Sequence, residues 1–226
     1  EDGGPEKLLE MVADPVIRGR LRASIRTGAP NWPNPVGNDG WENIVISTAL
    51  ETPECQGQDV ATLAGSGDPV DLVCDLILAN RGAVTVIVHA MSEENVSMVL
   101  AQDYVAIGSD AVPEAGRPHP RAAGTFPRWL GHYVRDRGVT DLVSGVRRCT
   151  SATADRFGLT DRGRVVIGAM ADLVVFNADT IADRATFADP LLRPVGIPHV
   201  LVGGALVVRD GELTGQRPGR VIAPTR

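Results

Sequence analysis

At 226 residues and 43% hydrophobic content, the chain is long enough for one large domain, or one domain with part of another, and too apolar to be disordered throughout. Twenty-two basic residues against 28 acidic ones leave a net charge of −6 with no long basic run, which argues against a nucleic-acid scaffold or a binder of anionic membranes. No apolar stretch nears the roughly 18 residues of a membrane span, the first residues carry no basic-then-apolar leader, and Cys55, Cys74 and Cys149 have no metal-type spacing, so a reducing cytoplasm is expected.

The first predicted element is helical. Pro5 opens a stretch with Leu8, Leu9 and Val12; Asp14-Pro15 then reads as an N-cap with proline at the first helical position. Ile17, Leu21 and Ile25 follow at helical spacing, and Gly28 stops the helix. Residues 29–40 hold three prolines and two glycines and read as loop. Residues 43–48 (NIVIST) read as a strand. Asp68-Pro69 starts a helix with Leu72, Leu76 and Ala79 on one face, ending at Gly82. Residues 84–88 (VTVIV) form a β-branched strand. Ser92 starts a helix with Val96, Val99 and Leu100, and residues 104–108 (YVAIG) read as a further strand. Thr125 is expected to cap a helix carrying Phe126, Leu130, Tyr133 and Val134 as far as Gly138. Thr140 is expected to cap a long helix ending near Gly158.

Strands alternating with helices, apolar on nearly every residue, predict a parallel α/β sheet buried on both faces. An open Rossmann-type sheet and a piece of a (β/α)8 barrel both fit. After residue 158 the pattern changes to short strands at 163–167, 172–176, 199–202 and 205–209, with Asp210-Gly211 as a hairpin turn. The expected organisation is therefore βα units over 1–158, with 1–40 a helical insertion and loop, and an antiparallel β module over 159–226.

Residues 104–128 (YVAIGSDAVPEAGRPHPRAAGTFPR) carry the most chemistry. The predicted strand delivers Asp110 at its C-terminal end, where parallel α/β folds place ligands and catalytic groups. Such an aspartate serves as metal ligand or general base, or as a plain helix cap. The following loop holds Arg117, His119 and Arg121 between prolines, an arrangement suited to a carboxylate or simply to solvent. His89 ends the strand at 84–88 and shares the predicted mouth with Asp110. His132 and His199 read as structural. No histidines stand at i, i+2 or i, i+4, and no GxSxG, P-loop or GxGxxG occurs. Asn95-Val96-Ser97 matches a glycosylation acceptor but falls within a predicted helix.

Several segments together give a resemblance. HAMSEENV at 89–96, IGSDA at 107–111 and RPHPRAAGTFPRWLGHYVR at 117–135 resemble the D-aminoacylase (N-acyl-D-amino-acid deacylase) branch of the amidohydrolase superfamily. So does the tail from RFGLTDRGRVVIGAMADLVVF to VLVGGALVVRDGELTGQRPGRVI. The resemblance implies the C-terminal part of a (β/α)8 barrel, followed by part of a small β-sandwich. It implies zinc-dependent hydrolysis of the N-acyl bond of N-acyl-D-amino acids, a small-molecule substrate. Asp110 then takes a proton from metal-bound water and passes it to the leaving amine, and is itself a metal ligand. Arg121, His119 and His89 become substrate-binding candidates. The family's histidine-x-histidine and its other ligands have no counterpart in this sequence, so the chain is expected to need its own N-terminal segment, or another chain, to close the barrel, and to be inactive alone. Ala111 stands where the family motif has glycine. The alternative is a degenerate, non-catalytic amidohydrolase-like domain that only binds or assembles.

Overall fold

The computed structural model describes residues 3–28, 34–112 and 115–222. They form two compact units. The first comprises Glu1–Met91 and Val112–His119, the second Ser92–Ala111 and Pro120–Arg226.

In the first unit, α1 (Gly4–Ala13) and α2 (Pro15–Thr27) fall where proline and periodicity place them. Asp14 caps α2 by accepting from the Val16 amide at 2.7 Å, and Gly28 closes it at φ 73°. A short α3 (Pro35–Asp39), capped by Asn34, occupies the end of the segment expected to be loop; residues 29–33 lie outside the described residues. Then come β1 (Ile44–Ala49), α4 (Val60–Ala64), α5 (Pro69–Ala79) and β2 (Val84–Val88). Asp68 caps α5 and also pairs with Arg22; Arg18 reaches Asp75 at 2.7 Å, so ion pairs stitch α2 to α5. Ile44, Ile46, Ala49, Val60 and Leu76 form the core.

β1 and β2 pair with each other antiparallel, Ile44 opposite Val88, which corrects the expected parallel sheet. The apolar run of β2 does not mean burial on both faces. Ile87 is buried while Val86 and Val88 are exposed, so the ribbon is covered on one side only, and a one-sided ribbon pairs antiparallel without a crossover rule.

In the second unit, α6 (Glu93–Leu100) is capped by Ser92 as expected. Residues 104–108 are not a strand. Their polar groups go elsewhere: the Val105 amide donates to Gln102 O in a turn, and the Val105 carbonyl accepts from Arg148. α7 (Arg121–Arg128) starts four residues before the expected cap. Thr125 sits inside it and returns its hydroxyl to the Arg121 carbonyl at 2.9 Å. A π-helical stretch, Trp129–Asp136, continues from α7 to the stop at Gly138. The expected long helix is two: α8 (Leu142–Cys149), capped by Asp141 rather than Thr140, and α9 (Ser151–Arg156). They are separated at Thr150, whose φ −131° and ψ −98° are not helical. Trp129, Tyr133 and Val134 form the core here, with Ile107, Leu100 and Cys149 packed on it.

The remaining strands, β3 (Leu173–Val175), β4 (His199–Val202), β5 (Ala205–Arg209) and β6 (Glu212–Leu213), form one antiparallel sheet in that order. Asp210 (φ 51°) and Gly211 (φ 82°) make the predicted hairpin turn, with both central residues left-handed. Residues 163–167 are not a strand. Gly163 (φ 76°) approaches the Thr150 backbone so closely that a Cβ would meet it at 3.0 Å, and the chain turns there instead of joining a ladder. Helices precede residue 159 and strands follow it, both within the second unit.

Candidate active site

Asp110 ends a run without regular secondary structure, which packs on the Trp129 cluster through Ile107. It adopts φ 48°, a left-handed conformation that aspartate visits more readily than most residues. Ala111 has no positive φ, so the glycine-like backbone demand falls on Asp110 and not on the residue that replaces the family glycine. The Ser109 hydroxyl oxygen accepts from the Ala111 amide at 3.3 Å, a local turn that aims the next carboxylate outward.

Arg121, the first residue of α7, meets that carboxylate: Nη2 lies 3.0 Å from Asp110 Oδ2. The aspartate side chain is 83% exposed, so one carboxylate oxygen is held while the group stays open to solvent. A pair this exposed contributes little stability, about 0–1 kcal/mol. Its significance is positional.

The other candidates belong to the first unit. The His89 amide donates to the Asn43 carbonyl at 2.8 Å, just past β2. His119 follows buried Pro118, in a segment laid along β1. There the Arg117 amide donates to Ser47 O, the Ser47 hydroxyl donates to Arg117 O at 2.9 Å, and Thr48 donates to Ala115 O at 2.7 Å. Thus Asp110 and Arg121 are brought together, whereas His89 and His119 are organised around β1 and β2. His132 Nε2 lies 3.8 Å from Glu93 and its ring meets Tyr133 edge-on, and His199 Nδ1 accepts from the Asp210 amide; both roles are structural.

One residue escapes sequence reasoning. Arg148 on α8 is only 3% exposed, with its guanidinium carbon 4.6 Å from the Trp129 ring centroid. Burial pushes its pKa down, opposed by the fields of Cys149 and Asp103. It is one arginine in an arginine-rich chain, and only its place on the inward face of an amphipathic helix could have marked it.

A catalytic zinc takes three protein ligands. Among the described residues no three His, Cys, Asp or Glu side chains converge, and Asp110 offers one carboxylate already shared with an arginine. By themselves these residues do not fit the metal. Among the described residues no helix is long and apolar enough to cross a membrane.

The amidohydrolase family model matches residues 89–208, just over half of the chain. The chain belongs to the amidohydrolase family. A D-aminoacylase of Alcaligenes xylosoxydans xylosoxydans is 43% identical over 183 residues, 80% of this chain and 37% of its own length. A solved D-aminoacylase, studied for its binuclear metal centre, superposes with a TM-score of 0.70 at 42% identity, over 76% of this chain and 36% of that one. The N-acyl-D-glutamate deacylase of Bordetella bronchiseptica, solved with zinc and a phosphonate mimic of the tetrahedral intermediate, gives 0.68 at 34% identity, over 85% and 42%. The chain therefore spans little more than a third of the length of these relatives.

Proposed function

We propose that this chain is the aspartate-bearing C-terminal segment of a zinc-dependent amidohydrolase that cleaves the N-acyl bond of N-acyl-D-amino acids. The observation that carries the reading is Asp110: a solvent-facing carboxylate in a left-handed backbone, with one oxygen on Arg121, in a chain whose relatives are D-aminoacylases. In this reading Asp110 takes a proton from the attacking water. The C–N bond breaks, and the same proton goes to the leaving nitrogen, giving a free carboxylic acid and a free amine. Arg121 answers the substrate carboxylate through its guanidinium fork.

The wider architecture is the C-terminal part of a (β/α)8 barrel followed by part of a β-sandwich, with the change near residue 159. Barrel strands are parallel, so the antiparallel β1–β2 ribbon is then an insertion on that barrel and not two of its staves. Apart from Asp110, the zinc ligands come from outside this chain, and the 226-residue chain alone is without turnover.

The test is Asp110→Asn in the full-length protein, assayed on an N-acetyl-D-amino acid. Asparagine keeps the shape and tolerates the backbone but accepts no proton. kcat should fall by about 10²–10⁴-fold with KM little changed, the usual contribution of general acid–base catalysis. A kcat within about threefold of wild type, on that same scale, means that another group carries the proton.

A further inference from the structure

We infer that Arg148 is the positioning residue for Asp110. This inference rests on the proposed role of Asp110 and goes beyond it, because Arg148 lies inside the second unit and reaches the carboxylate only through the backbone.

The contacts define what Arg148 does. Its Nε donates to the Val105 carbonyl at 2.7 Å and its Nη1 to the Leu100 carbonyl at 2.6 Å. Among the described residues Nη2 is buried with no hydrogen-bond partner and the guanidinium has no ion-pair partner. A buried cation with no anion in contact is costly, and a hydrophobic side chain of similar volume often serves stability as well or better. Packing alone would therefore favour methionine or leucine on this face of α8. The two carbonyls account for the charge.

Leu100 is the last residue of α6, and its carbonyl is one of the acceptors a helix leaves open at its C-terminus, where a cation also meets the favourable end of the dipole. Val105 opens the run to Asp110, which has no strand ladder among the described residues to hold it. Arg148 thus supplies, at Val105, a hydrogen bond that a neighbouring strand would otherwise provide, and through Leu100 it ties the start of the run to the end of α6. Trp129 fixes the guanidinium plane from one side, and its own indole N–H is anchored on the Gly145 carbonyl at 3.0 Å, one turn back along α8. Ile107 packs on the same Trp129 cluster. The backbone leading to Asp110 is held at Val105 and Ile107, three residues short of the aspartate, whose carboxylate is met separately by Arg121. Release of the two carbonyls lets the carboxylate drift, and misplacement of a reacting group by about 1 Å can cost about 10²-fold in rate.

The experiment compares Arg148→Met and Arg148→Lys in the full-length protein, with Asp110→Asn alongside. Methionine fills the volume and donates nothing; lysine keeps the charge and can hold one carbonyl. The expected result for Arg148→Met is a kcat lower by about 10- to 100-fold with KM nearly unchanged. Amide hydrogen exchange across residues 101–110 should become faster, while α7 and α8 keep their protection. Arg148→Lys should recover an intermediate kcat, and it carries the test if the methionine variant does not fold. The inference is overturned if Asp110→Asn is inactive while Arg148→Met keeps its kcat, or if exchange across 101–110 is unchanged. It is also overturned if protection falls equally in α7 and α8, since Arg148 is then only part of the core. An active Asp110→Asn defeats the proposed role of Asp110 instead, and the exchange data then report separately whether Arg148 holds the run.

Discussion

Single residues here divide by whether their environment shows in the sequence. Asp110 stands out as a candidate in the sequence, because an aspartate at the end of an apolar run followed by a proline-rich, arginine-bearing loop is an unusual string. Its left-handed backbone does not, since Ala111 draws attention to the wrong position. Arg148 was hidden by composition. Cys149 was also silent, yet it provides a pH-dependent prediction. Its thiol sits against the Trp129 core, and burial pushes its pKa from 9.0 to about 11, with Arg148 opposing. Folding therefore favours the protonated thiol. That stability is complete below about pH 9 and is lost as pH rises towards about 11. Buried Tyr133 adds to the same alkaline loss, because its hydroxyl is also pushed up by burial. Urea midpoints measured across this range in full-length protein should fall less steeply in Cys149→Ala than in wild type. Parallel slopes would mean that the thiol is not buried as described.

At the scale of elements, what is encoded locally was readable and what depends on a neighbour was not. Asp14, Asp68 and Ser92 cap helices where the sequence places them, each through a bond to an amide two or three residues on, and Asp210-Gly211 turns as written. Residues 104–108 and 163–167 have the composition of strands, but a strand exists only with a partner. Their amides and carbonyls go to turns and to an arginine instead. The sense of β1 and β2 was misread for a related reason: an apolar run shows affinity for a core without showing how many faces are covered. The π-helical stretch Trp129–Asp136 had no signal at all, and its packing yields a paired test. A Cβ on Gly131 would run into the Ile181 carbonyl oxygen, which is backbone and cannot yield. Gly19 lies in the middle of α2 with open space around it. Gly131→Ala should destabilise by about 1–3 kcal/mol and Gly19→Ala should stabilise by about 0.4–1 kcal/mol. Thermal melts of the two variants should move in opposite directions, and movement in the same direction would refute the account of Gly131.

At the scale of the molecule, the outstanding feature is apolar surface. β3 is the edge of its sheet, with Val174 and Val175 exposed; Val165, Val166 and Ile167 are also open, Ile167 at 108% relative exposure. Unpaired edges bearing β-branched residues invite other chains. The 226-residue chain on its own should self-associate in sizing chromatography with light scattering, in a concentration-dependent way. A sharp monomer peak at all concentrations would show that these residues are satisfied within the chain. The change of grammar near residue 159 was readable because loss of helical periodicity is a local property. The two compact units were not, because their membership is interleaved.

That interleaving restricts how the gene can be cut and rejoined. The chain passes from the first unit to the second after Met91, returns after Ala111 and leaves again after His119. A protease nick at the first passage frees neither unit, since residues 115–117 remain fastened to β1 by three hydrogen bonds. Nor can either unit be moved by recombination as one contiguous cassette. A fusion broken at residue 91 would take β1 and leave behind the segment docked on it, while a break at residue 120 would part Arg121 from Asp110. An exchange between relatives that keeps β1 with its docked segment and Asp110 with Arg121 must carry 44–121 unbroken.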